Sequence, residues 1–363
     1  MATPAQVPAV HAFARTMAGG IAVIVVLFVA DTFLAKSERA AARVEAERHY
    51  QSGRRLMQSG QSAQAAEQFR SALSVDRANQ DYELALGQAL RAAGKTGDAQ
   101  VALSALLEEN PFGGAANLAL ARVMVQEGNI TDATGYYHRA IYGQWKEDAR
   151  RNQLLARFEL VDLLRRQDSK EALLAELLPL QDEAPDDAAT QKKLGQGFLA
   201  AGSPVRAAAV FRAILHRDQQ DSQAHAGLGE AEFAGGNYAG AREEFRIALR
   251  LRPPDEGTEQ NLQSRLELCN RILELDPALR SLGGKERLSR SRKLAELALD
   301  RVQPCLGATP LIKSAQSALR STLSYDQNLD LADQLWRAGQ AECKSGLPEG
   351  EPLAIVLSKV NPK

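Results

Sequence analysis

Aromatic residues are scarce in this chain of 363 residues: they make up 5% of it, whereas hydrophobic residues, mostly Ala and Leu, make up 45%. A core built from small side chains is typical of closely packed helices. The net charge is also small, at −1, which argues against a partner such as nucleic acid that is bound mainly through charge. We therefore expect an all-α protein that does not bind nucleic acid.

Motifs that carry chemistry are missing as well. The sequence has no Cys-x-x-Cys and no Gly-x-Ser-x-Gly, and its five histidines include no pair at a metal-ligand spacing. Gly94-Lys95-Thr96 resembles the end of a phosphate-binding loop, but that loop needs glycine where Ala89 stands. We expect no catalytic residue, no metal and no cofactor. An enzyme with an unrecognised site stays the alternative class, because a fold does not exclude a grafted site.

What the chain does contain is an internal repeat of 34 residues. The recurring positions form a glycine column, an alanine column and a column of large residues; they are Gly60, Gly94 and Gly128, then Ala65, Ala99 and Ala133, then Phe69, Leu103 and Tyr137. The same spacing returns later, in the pairs Gly195 and Gly229, Gly202 and Gly236, Ala207 and Ala241, and Phe211 and Phe245. Agreement in several columns at one spacing indicates a repeated structural unit.

Each unit is predicted to be two helices joined by a turn that is centred on glycine. Glycine accepts the left-handed conformation that ends the first helix. Small residues then stand where the paired helices approach each other, and large ones fill the space beside them. Neither helix pair can bury its apolar face alone, so neighbouring pairs are expected to stack.

The segments 84–111 and 228–253 resemble tetratricopeptide repeats, with Leu-Gly in the first helix, a glycine turn, then Ala, a large residue, Ala and Pro. The resemblance implies an α-solenoid of antiparallel helix pairs over 36–255, with repeats at 46–79, 80–113, 114–147, 188–221 and 222–255. A degenerate repeat is predicted at 153–187. It has Ala172 in the small column, lacks the turn glycines, and contains Pro179, which is expected to interrupt its second helix.

The same resemblance implies a function in binding. In that family the first helix of each unit lines a concave groove that receives peptides. The polar groove residues carried over to this sequence are Arg54, Gln88, Arg91, Arg122, Gln126, Lys192 and Gln196. This mildly basic set, rich in amides, suits an extended or acidic peptide, although the Lys/Asn set that clamps a terminal carboxylate in some members is not present. We expect a scaffold or adaptor with protein partners. An envelope-complex assembly factor, of the cytochrome-maturation or pilus-assembly type, is the alternative.

A transmembrane anchor is predicted at 17–35, after a tail at 1–16. The segment carries a single charge, Asp31, and as a helix it would span about 28 Å, close to the thickness of a hydrocarbon core. A cleaved signal peptide is the rival interpretation, but Phe28 and Phe33 occupy positions where cleavage after Ala30 or Ala35 needs small residues. An uncleaved anchor is favoured.

The C-terminal part is predicted to be helical. A capping helix with its linker occupies 256–284, three helices at 285–303, 310–323 and 327–344 occupy the region 285–345, and a tail comes last at 346–363. The tail contains an apolar, strand-like run at 353–357 that we expect to dock on the body. In an up-down-up arrangement Cys305 and Cys343 lie at the same pole, so a disulfide is geometrically reasonable, with two unrelated thiols as the alternative. Cys269 is interpreted as a small buried hydrophobic residue.

The sequence gives conflicting signals about the orientation of the anchor in the membrane. Arg15 precedes the apolar run, whereas Lys36, Arg39, Arg43 and Arg48 come after it, and this count would keep the repeats in the cytoplasm. A short tail with Arg15 directly before the run resembles an anchor that exports the chain on its C-terminal side, and a disulfide would imply an oxidising compartment. We favour an extracytoplasmic location, and the cytoplasm remains the alternative.

Overall fold

The structure is a computed structural model that describes residues 40–251, 255–343, 347–348 and 350–360, together with Phe28, Thr32, Phe33 and 36–38. Among these residues there is no strand, and the isolated β-bridge recorded there joins Gly113 to Gln144. Within the described residues, none of the helices combines the length and the hydrophobicity that a membrane span requires. The predicted anchor at 17–35 lies outside the described residues, apart from Phe28, Thr32 and Phe33, and it stays a prediction.

The chain divides into two units, one up to Leu160 and the other from Val161. The first unit contains a helix at residues 40–58, here α1, and then helices α2 to α6, which are Ser62–Val75, Gln80–Ala92, Thr96–Glu109, Gly114–Glu127 and Ile130–Ile141. From α2 onward, each of these helices contacts the next, and the first helices α3 and α5 also contact each other. This is the stacking of helix pairs that the repeat predicts. Helix α7, Ala149–Arg166, begins in this unit and ends in the second.

The second unit continues the same pattern and adds a helical C-terminal region. Helices α8 to α13 are Lys170–Glu183, Ala188–Ala200, Pro204–Arg217, Ser222–Ala234, Tyr238–Arg250 and Glu256–Leu275. Each contacts the next, and the first helices α9 and α11 are again neighbours. Helices α14 to α17 complete the unit, at Gly284–Leu306, Pro310–Ala318, Tyr325–Glu342 and Pro352–Val360.

The repeat columns have the structural roles that the sequence predicts. The alanine column is fully buried and the large residues beside it are at most 3% exposed. Gly94 has φ of +78°, and its N–H donates to Arg91 O at 3.0 Å while the next N–H donates to Leu90 O at 2.9 Å. The other turn glycines share the positive φ and the same pair of bonds; they are Gly60, Gly128, Gly202 and Gly236. This left-handed ending satisfies the last carbonyls of each first helix.

The degenerate repeat differs from its prediction in three ways. Its first helix begins at Ala149 and not at 153, and Asp168 takes the turn position, with φ of +50° and the same two backbone bonds. The residue in the small column is Leu173, 1% exposed, whereas Ala172 is exposed. Pro179 does not interrupt α8, because proline removes only one donor and the helix is held by buried apolar residues on both sides of it.

In the C-terminal region, two helix ends and the conformation of the last apolar run differ from the prediction. Pro304 was expected to end the first of the three helices, but α14 continues to Leu306 and closes with Gly307 N bonded to Gln303 O at 2.9 Å. The next helix ends at Ala318 and not near 323. The apolar run at 353–357 is helical and not a strand, because its buried residues have helical spacing; they are Leu353, Ala354, Val356 and Leu357. As expected, this segment packs on the body, within a cluster formed with α14 and α16.

Candidate functional site

Glycines on four of the first helices let the paired second helix come close; they are Gly53, Gly87, Gly195 and Gly229. A Cβ on Gly87 would lie 2.6 Å from Leu103, and one on Gly229 would lie 2.6 Å from the Phe245 ring. The first helix therefore rests directly on the large residue of its own second helix. The polar residues that the sequence assigned to a groove are exposed or half-buried on these first helices.

In the second unit these residues border a cavity of about 580 Å³ between α9, α11 and α13. Two of the predicted residues, Lys192 and Gln196, line it. Its other amides are Gln223 and Asn261, and its apolar lining includes Leu199, Ala226 and Leu262. Side-chain amides both donate and accept hydrogen bonds, so they can pair with the backbone of an extended peptide over an apolar surface.

Lys192 is held in place at one side of this cavity. Its Nζ lies 2.9 Å from Asp221 Oδ2 and 2.9 Å from Gln223 Oε1. Asp221 also caps α11, accepting from Ala224 N at 2.9 Å. Burial opposes the charge on Asp221, but the bonds from Lys192 and Ala224 outweigh it and keep the pKa of the carboxyl below its usual range. The positive charge of Lys192 is therefore already paired, and it provides position more than free charge.

Glu230 brings a carboxylate to the same cavity. Burial raises its pKa, and Arg265 Nε opposes this from 2.8 Å away. The cavity thus offers amides, a paired lysine, a paired glutamate and Asp255, whose carboxylate caps α13 by accepting from Thr258 N at 2.8 Å. Such a surface suits an uncharged stretch of peptide, held by hydrogen bonds and apolar contact.

The first unit has a different arrangement, centred on Glu159 of α7. Arg122 Nε and Arg122 Nη2 donate to the two oxygens of this carboxylate at 2.9 and 2.6 Å, and Tyr137 Oη donates to it at 3.2 Å. The hydrogen bond to Glu159 raises the pKa of Arg122. Arg122 is therefore fixed by a forked ion pair.

Arg91 lies beside this pair without sharing in it. It is half-buried, and its Nε is shielded from solvent with no hydrogen-bond partner in the described part of the chain. Burial lowers the pKa of Arg91 and the neighbouring Arg122 lowers it further, while Glu159 opposes both. The three groups carry two positive charges and one negative charge.

The remaining groove candidates of the first unit are less organised. Arg54 is exposed, with its guanidinium 5.9 Å from the centre of the Tyr50 ring. Gln88 is half-buried and Gln126 is exposed. The predicted set is thus divided between the two units, with five residues in the first and two in the second.

Sequence reasoning missed the acidic members of both sites. Glu159 stands nine residues before the turn at Asp168, and the same position holds Gln51, Ala85, Ala119 and Lys193 in other repeats. The repeat fixes no residue type at this position, so the sequence carried no signal for Glu159.

The cysteines occupy two different environments. Cys305 and Cys343 form a disulfide between the end of α14 and the residue after α16, with Cα atoms 5.6 Å apart. Cys269 is free and fully buried beside Ala241 and Phe245, which confirms its interpretation as a small core residue. Burial raises the pKa of its thiol to about 11, so it is not suited to nucleophilic chemistry.

Comparison with known proteins supports the assignment of the repeats. A sequence profile of the tetratricopeptide repeat matches residues 50–99, 84–149 and 192–256, so the chain carries tetratricopeptide repeats in both units. No curated protein matches the chain.

Several solved structures are similar to it. YrrB, described as a TPR protein with an unusual peptide-binding site, is 17% identical over 55% of this chain and 99% of its own, with a TM-score of 0.43. A tetratricopeptide repeat protein from Parabacteroides merdae is 13% identical over 76% of this chain and 99% of its own, with a TM-score of 0.42. PilF of Pseudomonas aeruginosa is 20% identical over 66% of this chain and 97% of its own, with a TM-score of 0.35.

Proposed function

We propose that this chain is a scaffold that binds extended peptide segments of other proteins along the first helices of its tetratricopeptide repeats, and that it acts by binding and not by catalysis. Tetratricopeptide proteins generally mediate protein–protein interaction. The observation that carries the proposal is the cavity of about 580 Å³ between α9, α11 and α13. Its amides and apolar lining supply what an extended peptide needs.

The proposal places the scaffold at a membrane, with its repeats outside the cytoplasm. The support for an anchor is the apolar segment 17–35. The support for export is the disulfide between Cys305 and Cys343, since disulfides persist in oxidising compartments. Assembly of an envelope complex is one use of such a scaffold, and partners co-purified from detergent-solubilised membranes would identify it.

Selection of displayed random peptides on the immobilised full chain tests the binding function. Peptides that bind the second unit should lose affinity in the variant Gln196→Arg, because the larger charged side chain enters the lining of the cavity. The matched control is Val205→Arg, which introduces the same residue on α10, where Val205 is 79% exposed. If every selected peptide binds both variants equally well, the cavity is not the binding site.

Cell fractionation tests the placement at a membrane. The full chain should stay in the membrane pellet after carbonate and high-salt extraction, and a chain that begins at Glu38 should be released. Mass spectrometry of the purified protein provides the control for processing. A mature N-terminus near residue 31 or 36 would replace the anchor by a signal peptide.

A further inference from the structure

The first helices of the first unit carry two neighbouring arginines, Arg91 and Arg122, with Glu159 beside them. Arg91 and Arg122 lie on α3 and α5, which contact each other, and Glu159 lies on α7. One carboxylate therefore faces two guanidinium groups, and only Arg122 is bonded to it. Like charges in a half-buried setting oppose each other, and this arrangement is stable only when the attraction to a third group compensates for it.

The carboxylate of Glu159 already accepts three hydrogen bonds. Both oxygens of Glu159 accept from the Arg122 guanidinium, and Tyr137 Oη occupies a further acceptor site on the same group. Glu159 is 27% exposed and Arg122 is 30% exposed, so the pair is only partly open to solvent. Little acceptor capacity is left for a second arginine.

Arg91 consequently lacks an acceptor. Its Nε has no partner among the described residues, and its guanidinium forms no ion pair there. A guanidinium offers five donors in a planar fork that matches a carboxylate, and it cannot release its proton to relieve the strain of burial. Because Nε is shielded from solvent, a ligand carboxylate would meet this guanidinium through its Nη groups, and it would balance the charges at two positive and two negative.

We propose that Arg91 is the contact for an acidic side chain of the bound peptide, so that the first unit selects segments bearing Asp or Glu. The inference rests on the proposed function and specifies its ligand. Arg122 and Glu159 act as the positioning pair that keeps a second positive charge beside Arg91. The second unit, where lysine and glutamate are already paired, would accept an uncharged part of the same or another segment.

The test uses three synthetic decapeptides and fluorescence anisotropy with the full chain at low ionic strength. The first is an alternating Ala-Glu peptide with an amidated C-terminus, the second its Ala-Gln counterpart, also amidated, and the third the Ala-Gln peptide with a free C-terminal carboxylate. We expect the amidated Glu peptide to bind at least about tenfold more tightly than the amidated Gln peptide, the difference that one good charge-assisted contact supplies.

Variants with opposite expected effects separate binding from folding. Arg91→Gln should remove most of the preference for Glu, and Arg91→Lys should restore part of it. Arg77→Gln makes the same change of charge at an exposed position between α2 and α3 and should keep the preference. Glu159→Gln should strengthen binding of the Glu peptide, because both arginines then lack an internal carboxylate; a variant that merely unfolds would not bind more tightly.

Equal binding of the Glu and Gln peptides would overturn the inference, as would equal losses in Arg91→Gln and Arg77→Gln. Binding of the third peptide as tightly as the first would show that a terminal carboxylate, and not an acidic side chain, is the ligand. Failure of all three probes to bind also contradicts the inference. The proposed function would still stand if peptides selected on the full chain bind, so the two failures can be told apart.

Discussion

Replacing Asp168 by glycine should stabilise the protein. Asp168 has φ of +50° and an exposed side chain at the turn between α7 and α8, where the regular repeats have glycine. A left-handed conformation costs an L-residue about 1–2 kcal/mol, with Asp among the more tolerant residues. Glycine removes that cost but adds about 0.4–1 kcal/mol of chain entropy in the unfolded state. The net gain should lie between about 0 and 1.6 kcal/mol, in the lower half of that range because Asp tolerates the conformation better than most residues.

Urea denaturation monitored by circular dichroism measures this gain. The matched control is the reverse change in a regular repeat, Gly94→Ala, which places a Cβ at φ of +78° and should destabilise by about 1 kcal/mol. Packing does not confuse the control, since a Cβ on Gly94 meets no atom within 4 Å. A lower midpoint for Asp168→Gly, with the expected loss for Gly94→Ala, would refute the idea that Asp168 is strained.

Three other changes test packing and the C-terminal region. Gly87→Ala places a Cβ 2.6 Å from Leu103, and this overpacking costs about 1–3 kcal/mol. Alanine regains about 0.5–1 kcal/mol of helix propensity inside α3, so the net cost in the same assay should be about 0–2.5 kcal/mol; a raised midpoint would contradict the close contact. Lys359→Met should lower the free energy of unfolding by about 3 kcal/mol, because it leaves the fully buried Asp276 without the Nζ that lies 2.6 Å from its carboxylate. Adding Asp276→Asn should restore part of this stability. A double variant that is no more stable than Lys359→Met would contradict the pairing. Reduction of the disulfide, which spans a sequence separation of 38, should cost about 3–4 kcal/mol by loop entropy; an identical midpoint with and without reductant would show that the bond contributes nothing to stability.

Periodicity predicted the fold where each repeat keeps its own signals. Gly94, Ala99 and Leu103 each perform a local task in a turn, a close contact or a core, so their spacing alone located the helices. Asp168 forms the same left-handed turn, but an aspartate in a sequence does not by itself indicate such a turn. The turn was therefore missed. Pro179 and Pro304 were expected to break helices, but buried apolar neighbours outweighed the loss of a single donor.

The candidate site was predictable in outline but not in its charges. The repeat register identified Arg91, Arg122 and Lys192 as groove residues, because register determines which face a residue occupies. It could not show that Glu159 and Asp221 neutralise two of the three, since those partners come from other helices and their distances depend on packing. The lack of a partner for Arg91 Nε is likewise a property of the folded arrangement of the described residues.

Hydrogen exchange with and without a selected peptide tests the central claim most directly, because it reports which helices the peptide covers. Peptide binding along the first helices predicts slower exchange in α9 and α11, or in α3 and α5, with little change in the paired second helices α10 and α4. Protection confined to the second helices, or to the C-terminal helices α14 to α17, would contradict the account.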